Sequence, residues 1–382
     1  MNTEIEDMQI EEEDLIPEEV ITQPFSPSDI SLSTPPMNLG DLIDMIEHGW
    51  INFGTSYQRE QNLWDDVKQS RLIESVLLGL RLPAFYFEEV SKKKWNIIDG
   101  LQRCCAIRNF CVDGSLELSS LEFLSDRFNG SKYENFNFEI KRDIRMLPIT
   151  VNVLSKGVPD MVKYILFKRL NTGGIELTPQ EIRNAVFQGQ GIDTIEAMAH
   201  DEAFLEATCC SIETRRKTDM DFVSRFVTFY VKDWHDYNSD METFINECML
   251  DLRDNATTEY LQNMKSDFHD TMVLVTSVFG NRAFRKQTSM HERRRPLNKA
   301  FFESLGSVVA RRTPSERQML LSNKKLFVSN MMNAMNDSNA FFMSFSGATG
   351  RKDTVIRRFS TIEQIVNDTL RNKKTKLSNY DN

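Results

Sequence analysis

Asp99, Gly100, Gln102 and Arg103 bring an acid, a glycine, an amide and a guanidinium together within five positions, directly after the apolar pair Ile97-Ile98. A strand that ends in Asp-Gly and runs into a helix presents the free backbone N–H groups of the first helical turn and the positive end of the helix dipole. Gly100 has no Cβ, so a ligand can approach the backbone closely. Gln102 adds side-chain donors, and Arg103 carries the planar fork that suits phosphate oxygens. Asp99 stands where it would hold Mg²⁺ directly or through a water. The chemistry of such a turn is the binding of phosphate. Asp-Gly ahead of a helix is common, so the turn alone does not establish it.

The elements that must position the turn follow from periodicity. Leu39, Leu42, Ile43 and Ile46 have helical spacing, and Ser56-Tyr57-Gln58-Arg59 reads as a loop or short strand. Val67, Leu72, Ile73, Val76 and Leu77 share one face of a helix over 65–78, which Gly79 stops. Ala84-Phe85-Tyr86-Phe87 is an aromatic strand and Lys94 to Ile98 its partner. Leu101 to Cys111 reads as a helix, a less regular stretch covers 116–146, and a strand is predicted from Leu147 to Leu154. Pro159 opens a helix from Asp160 to Leu170 that Asn171-Thr172-Gly173-Gly174 breaks. Thr178-Pro179-Gln180-Glu181 combines an N-cap, a proline at the first position and a capping-box acid, which predicts a helix to about Gln188. Beyond Gly191 the spacing is helical almost throughout. The expected class is α+β, a small mixed sheet with helices followed by a mainly α-helical C-terminal region.

Composition narrows the functional classes. No stretch approaches the roughly 18–20 uncharged apolar residues of a membrane span. The acidic start Met1-Asn2-Thr3-Glu4 lacks the basic region of a signal peptide, which leads to the expectation of a cytoplasmic chain with reduced cysteines. Cys104, Cys105, Cys111, Cys209, Cys210 and Cys248 match no zinc spacing and read as small core side chains. Charge is unevenly spread. Thirteen Asp or Glu and no Lys or Arg precede Arg59, whereas residues 281–382 hold 20 Lys or Arg against 8 Asp or Glu. Residues 1–37 therefore read as an acidic disordered tail, either solvated or a nucleic-acid mimic that competes for the basic end. Arg293-Arg294-Arg295 and the paired cations after them suit contact with a nucleic-acid backbone without sequence readout, although a solvated face has the same composition.

The order of motifs carries a resemblance. Gln58-Arg59, Trp64, Leu72-Ile73-Glu74-Ser75, Leu82-Pro83, Asp99-Gly100-Leu101-Gln102-Arg103, Phe167-Lys168-Arg169-Leu170-Asn171-Thr172-Gly173-Gly174 and Glu181-Ile182-Arg183 follow one another. Over roughly 38–330 the chain resembles the family of the N-terminal S domain of GmrSD-type restriction enzymes, the domain of unknown function 262. Leu101 stands where that family has the first glutamine of its Asp-Gly-Gln-Gln-Arg turn, which bears on hydrolysis more than on binding.

The resemblance implies a ParB/sulfiredoxin-like domain over 38–190, a helical domain with a basic C-terminal part over 191–370 and a flexible tail over 371–382. It also implies a nucleoside triphosphate with Mg²⁺ as ligand, bound by Arg59, Asp99, Gly100, Gln102, Arg103, Arg169 and Asn171. Asp99 is the metal residue, and where turnover accompanies binding Asp99 and Arg103 are the catalytic pair. A regulatory protein of a restriction or phage-defence system, working with DNA and a separate nuclease subunit, is the function so implied. A non-enzymatic DNA-binding or scaffold protein with the same fold is the alternative. Leu101 occupies the position of the sulfiredoxin nucleophile, which argues against that reductase. His291 has no second histidine after it to complete an HNH nuclease segment. Bland roles stay open beside these. Trp64 stacks on a base or packs on its helix, Asn171 caps a helix, and Arg183 pairs with Asp99, with phosphate or in an exposed ion pair.

Overall fold

A computed structural model describes residues 10–11, 31–53, 64–170 and 177–377. The chain divides into two compact units, one of residues 23–176 and one of residues 177–382 together with 1–22. No helix among the described residues is long and apolar enough to cross a membrane.

The first unit is built on a mixed sheet. Its strands are β1 (Leu32–Ser33), β2 (Met37–Asn38), β3 (Ile51–Asn52), β4 (Phe85–Ser91), β5 (Lys94–Asp99), β6 (Pro148–Ile149) and β7 (Val151–Leu154). Five of them lie in the order β1-β7-β4-β5-β3, while β2 and β6 form a separate ribbon. The β1/β7 and β4/β5 pairs are antiparallel, and the β4/β7 and β3/β5 pairs are parallel. The strand expected from Leu147 to Leu154 is thus two strands. Pro148 has no N–H to give a central ladder and sits in the ribbon, paired with Asn38.

Alternation along β4 sends Phe85 and Phe87 to one face, where they are buried with Ile51, Val151 and Val153. The helices of this unit are α1 (Leu39–Glu47), α2 (Asp66–Leu77), α3 (Leu101–Ile107), α4 (Ser125–Phe128), α5 (Phe138–Arg145) and α6 (Asp160–Leu170). Their apolar residues, among them Leu42, Ile43, Ile73, Ile107 and Ile144, complete that core. Asn38 and Asp41 close a capping box at the start of α1, and the Asp65 side chain accepts the Lys68 N–H at 2.8 Å at the start of α2. The helix expected to reach Cys111 is α-helical to Ile107 and continues as a π turn over Arg108–Val112.

Glu74 is a buried acid on α2, and its role is to hold the irregular stretch that follows α3. Its carboxylate accepts the backbone N–H groups of Glu122, Phe123 and Leu124 at 3.0, 2.7 and 2.8 Å. Burial works to raise its pKa, but these three bonds and the Arg71 charge outweigh it and hold the carboxyl below its ordinary value of 4.5.

The second unit is helical: α7 (Pro179–Val186), α8 (Gln190–Ala199), α9 (Glu202–Ala207), α10 (Thr218–Val231), α11 (Met241–Asn255), α12 (Thr258–Phe279), α13 (Lys299–Ala310), α14 (Pro314–Ser322), α15 (Lys324–Asp337), α16 (Asn339–Met343) and α17 (Lys352–Leu370). Edge-to-face rings organise its centre, with Phe226 on Phe268 at 4.9 Å and Phe284 on Phe302 at 4.7 Å between centroids. Thr178 caps α7 as its sequence predicts, and Glu181 completes the box. The division between units falls before α7 rather than near residue 190, because Arg183 and Asn184 on α7 bond Asn246 and Met220 of the helical unit.

Part of the stretch read as a disordered tail is in place. Ile10 forms a parallel bridge with Leu297, and Leu32–Ser33 is a strand of the sheet. The remainder of residues 1–30 and residues 378–382 lie outside the described residues.

The Glu74 bonds predict a pH-dependent stability. A carboxyl whose folded pKa is depressed stabilises fully above its unfolded value, and that contribution is lost as pH falls through the folded value. Glu74→Gln should cost about 1–3 kcal/mol at neutral pH in urea denaturation. The gap to the native chain should narrow as pH is lowered below 4.5. A gap that stays constant through that range would show that the charge on Glu74 is not what holds the loop.

Candidate functional site

The β4–β5 hairpin and α3 place the Asp99–Arg103 turn. Tyr86 pairs with Asp99 at the end of β5, and Gly100 then takes φ +103° as the residue before α3. Its conformation is one that L side chains rarely adopt. A Cβ at Gly100 would also stand 2.7 Å from Cδ1 of Phe85. The sequence reading assigned this glycine to ligand approach; packing against Phe85 already requires it.

Arg103 is largely committed within the protein. Its Nη1 donates to the carbonyls of Pro83 and Ala84, its Nη2 donates to Asp99 Oδ2 at 2.7 Å, and the guanidinium lies 4.6 Å over the Phe85 ring. Its side chain is 11 % exposed, against 31 % for Asp99. Nε and one Nη2 proton are left for a ligand. The Gln102 carbonyl oxygen accepts the Trp64 N–H at 3.3 Å, so both Gln102 and Trp64 help to seat α2 beside the turn. Gly100 provides no side-chain cap, whereas α1, α2, α5 and α7 each begin under an Asn, Asp or Thr oxygen. Among the described residues, the first turn of α3 therefore has no capping side chain to accept its N–H groups.

Among the described residues no group of three or more His, Cys, Asp or Glu could hold a metal ion. Asp99 is the single carboxylate at the turn. That donor set fits Mg²⁺ only when phosphate oxygens and waters supply the rest of its octahedron.

Arg169 is exposed in the last turn of α6. Arg59 and Asn171 lie outside the described residues, as does the Gly173-Gly174 break. Arg183 is neither exposed nor a partner of Asp99. It is 1 % exposed, and its guanidinium bonds Asn246 at 2.9 Å, Gln180 at 3.1 Å and Asp221 at 3.4 Å. Burial inside the helical unit is the reason, since such a cation must find acceptors there. Glu181 keeps its expected capping role and also pairs with Arg216 at 3.0 Å.

Of the basic run, Arg293 is exposed, Arg294 reaches Cys209 Sγ at 3.7 Å, and Arg295 pairs with Glu292 at 3.1 Å. The cysteines divide similarly. Cys104, Cys105 and Cys248 are buried as expected, and burial pushes Cys105 up to about 11 and Cys248 to about 12; Cys210 is exposed.

One cluster was missed. On the sheet face opposite Phe85 and Phe87, Lys163 of α6 bonds Glu88 at 2.5 Å and Asp160 at 2.7 Å, and Asn52 bonds Asn96 at 2.8 Å. Burial works against the Lys163 charge, but its two acid partners raise its pKa overall. Glu88 and Asn96 are cross-strand partners, so these polar residues form a row under α6. The signal was the alternation Phe85-Tyr86-Phe87-Glu88, which puts a charge on the face a second layer must cover.

Because Phe85 fills the space beside Gly100, Gly100→Ala should destabilise the chain by about 1–3 kcal/mol with or without ligand. Thermal unfolding of the unliganded protein checks this, and an unchanged midpoint would return the glycine to a purely ligand-facing role.

Comparison with known proteins gives one finding. Residues 39–188 match the family described as GmrSD restriction endonuclease, N-terminal domain. No curated protein and no solved structure matches the chain. The matched stretch begins at the first residue of α1, holds the whole Asp99–Arg103 turn and ends just past α7. Residues 39–188 of this chain belong to the N-terminal domain family of GmrSD restriction endonucleases.

Proposed function

We propose that this chain is a regulatory component of a DNA restriction or anti-phage system, and that its sheet unit binds a nucleoside triphosphate with Mg²⁺ at the Asp99–Arg103 turn. The observation that carries the reading is the start of α3, a glycine-led turn with no side-chain cap, flanked by the partly exposed carboxylate of Asp99. It stands within the stretch that matches the restriction-enzyme family. In this reading the backbone N–H groups of Leu101, Gln102 and Arg103 receive phosphate oxygens. Asp99 holds the metal side of the triphosphate, and Arg103 keeps that carboxylate aimed. Bound Mg²⁺ supplies neutralisation of phosphate charge. Arg59 and Arg169 assist at the triphosphate with Asn171, and the arginines stabilise charge on the phosphates where hydrolysis follows. The helical unit passes the nucleotide state to DNA, with Arg293, Arg294 and Arg295 on phosphates, or to a separate nuclease subunit.

A non-enzymatic DNA-binding or scaffold protein that keeps the fold but not the nucleotide activity is the second reading. Leu101 in place of an amide and the committed fork of Arg103 favour it.

Nucleotide titration separates the two. ATP, GTP, CTP or UTP with Mg²⁺ should raise the unfolding midpoint, with about 2.7 kcal/mol of stabilisation at a hundredfold excess over Kd. Asp99→Asn keeps an oxygen for Arg103 and should remove the Mg²⁺-dependent part, weakening binding by about tenfold or more. Silence toward all four nucleotides in protein shown to be folded would sink the first reading.

Duplex DNA binding should fall steeply with added salt, and Arg293→Ala should lower the slope of log K against log salt by about one. Salt-insensitive binding, or none at low salt, would remove nucleic acid from the proposal.

A further inference from the structure

We propose that the helical unit carries an oxyanion site of its own, built by Lys286, Asn298 and Ser346, and that Glu11 of the chain's acidic N-terminal segment fills it in place of a phosphate group. Lys286 lies in the loop between α12 and α13 with its side chain 5 % exposed, and Asn298 is buried at 3 %. An ammonium so deeply placed must have an anionic partner, because desolvating it alone costs several kcal/mol. Glu11 is that partner. One of its carboxylate oxygens accepts from Lys286 and from Ser346, and the other accepts the Asn298 side-chain amide at 3.0 Å. Three donors on two oxygens is the pattern that recognises a carboxylate or a phosphate.

The cradle does not depend on Glu11 for its shape. Asn298 is the N-cap of α13, its oxygen accepting the Phe301 N–H at 2.8 Å while its amide also reaches the Phe345 carbonyl at 2.7 Å. The Lys286 ammonium bonds Ser346 and lies 4.8 Å over the Phe342 ring. Arg295 lies 5.2 Å over the same ring, so the last residue of the Arg293–Arg295 run adjoins the site. The start of α13, a helix of 12 residues, adds the positive end of its dipole. Departure of Glu11 would leave a formed cradle with an uncompensated cation.

The segment is held by little else that is described. Ile10 bridges Leu297, and the Glu11 N–H donates to the Leu297 carbonyl at 2.8 Å. The Glu11 side chain remains 22 % exposed, so the site opens to solvent where the carboxylate enters. In sequence Glu11 heads the acidic run Glu11-Glu12-Glu13-Asp14. An intramolecular ligand of this kind acts at an effective concentration of about millimolar, so a single free phosphate competes poorly while a polyanion competes well. The external ligand is therefore a phosphodiester of a nucleic-acid backbone, which rests on the nucleic-acid reading above; the site itself does not.

The test uses the full chain, native and as Glu11→Ala and Glu11→Ala/Lys286→Met. Inorganic phosphate should raise the unfolding midpoint of Glu11→Ala by several degrees over a chloride control of equal ionic strength. The native chain and the double variant should not respond. Equal responses in all three, or none in Glu11→Ala, would overturn the site. Glu11→Gln, which keeps the shape of the side chain, serves if Glu11→Ala does not fold, with the same expectations. A second arm measures duplex DNA. Binding by Glu11→Ala should be tighter than by the native chain, with a salt slope steeper by about one. Equal DNA affinity in both would overturn competition by Glu11 while leaving DNA binding in place. Absence of DNA binding by either protein would sink the nucleic-acid reading, and the phosphate result would then decide the site.

Discussion

The guanidinium of Arg103 is the interaction on which the candidate site depends. It ties the carbonyls that lead into β4 to the carboxylate that ends β5, and it lies over the Phe85 ring. The same Phe85 ring closes the space beside Gly100 and sits in the core of the sheet unit. Core, hairpin and turn are therefore one object, and the geometry of Asp99 is fixed by packing before any ligand arrives. Binding sites gain from that arrangement, since a group already held loses little freedom on binding. It also changes the meaning of arginine in the motif. A fork with most of its donors on the protein positions an acid and a helix start, and only its remaining protons can face a phosphate.

The helical unit makes the opposite use of charge. Glu303 is fully buried between Arg358 and Arg225, and Asp221 lies between Lys299 and Arg183. Burial alone would raise the Asp221 pKa, but the three cations around it, Lys299 foremost, hold it well below the usual carboxylate range. Such clusters rarely add net stability, yet losing one partner costs about 3–5 kcal/mol because the other is left buried and unpaired. They therefore fix which helices meet. Arg358 of α17 cannot leave Glu303 of α13 without exposing that cost, and it also bonds the carbonyls of Ser344 and Thr349. In a unit cross-tied in this way, buried charge as well as apolar packing decides which helices meet.

Local rules made most of the sheet unit legible. The cap of α7, the alternation in β4 and the Asp-Gly turn involve neighbours within four residues, and each stands where the sequence puts it. What the sequence did not disclose depends on contacts across long separations. Arg183 looked like a surface or ligand-facing cation, and only the partners Asp221 and Asn246, 38 and 63 residues away, make it a buried one. Glu74 enters the sequence only as part of the Leu72-Ile73-Glu74-Ser75 motif, and its three backbone partners lie 48 to 50 residues on. Gly100 was read for ligand approach alone, because nothing in the turn's own residues announces the Phe85 ring. The family resemblance supplied the order of motifs, but it could not say which motif side chains are spent on the fold.

The chain keeps its acids early and its cations late, and in a solvated tail that separation would have little structural consequence. Glu11 gives it one, since it is seated where a buried ammonium requires an anion, next to a ring shared with Arg295. A carboxylate and a phosphate ask the same thing of Lys286, Asn298 and Ser346. Three donors converge there, two of them on residues almost wholly buried, and buried donors of that kind must be matched by an acceptor.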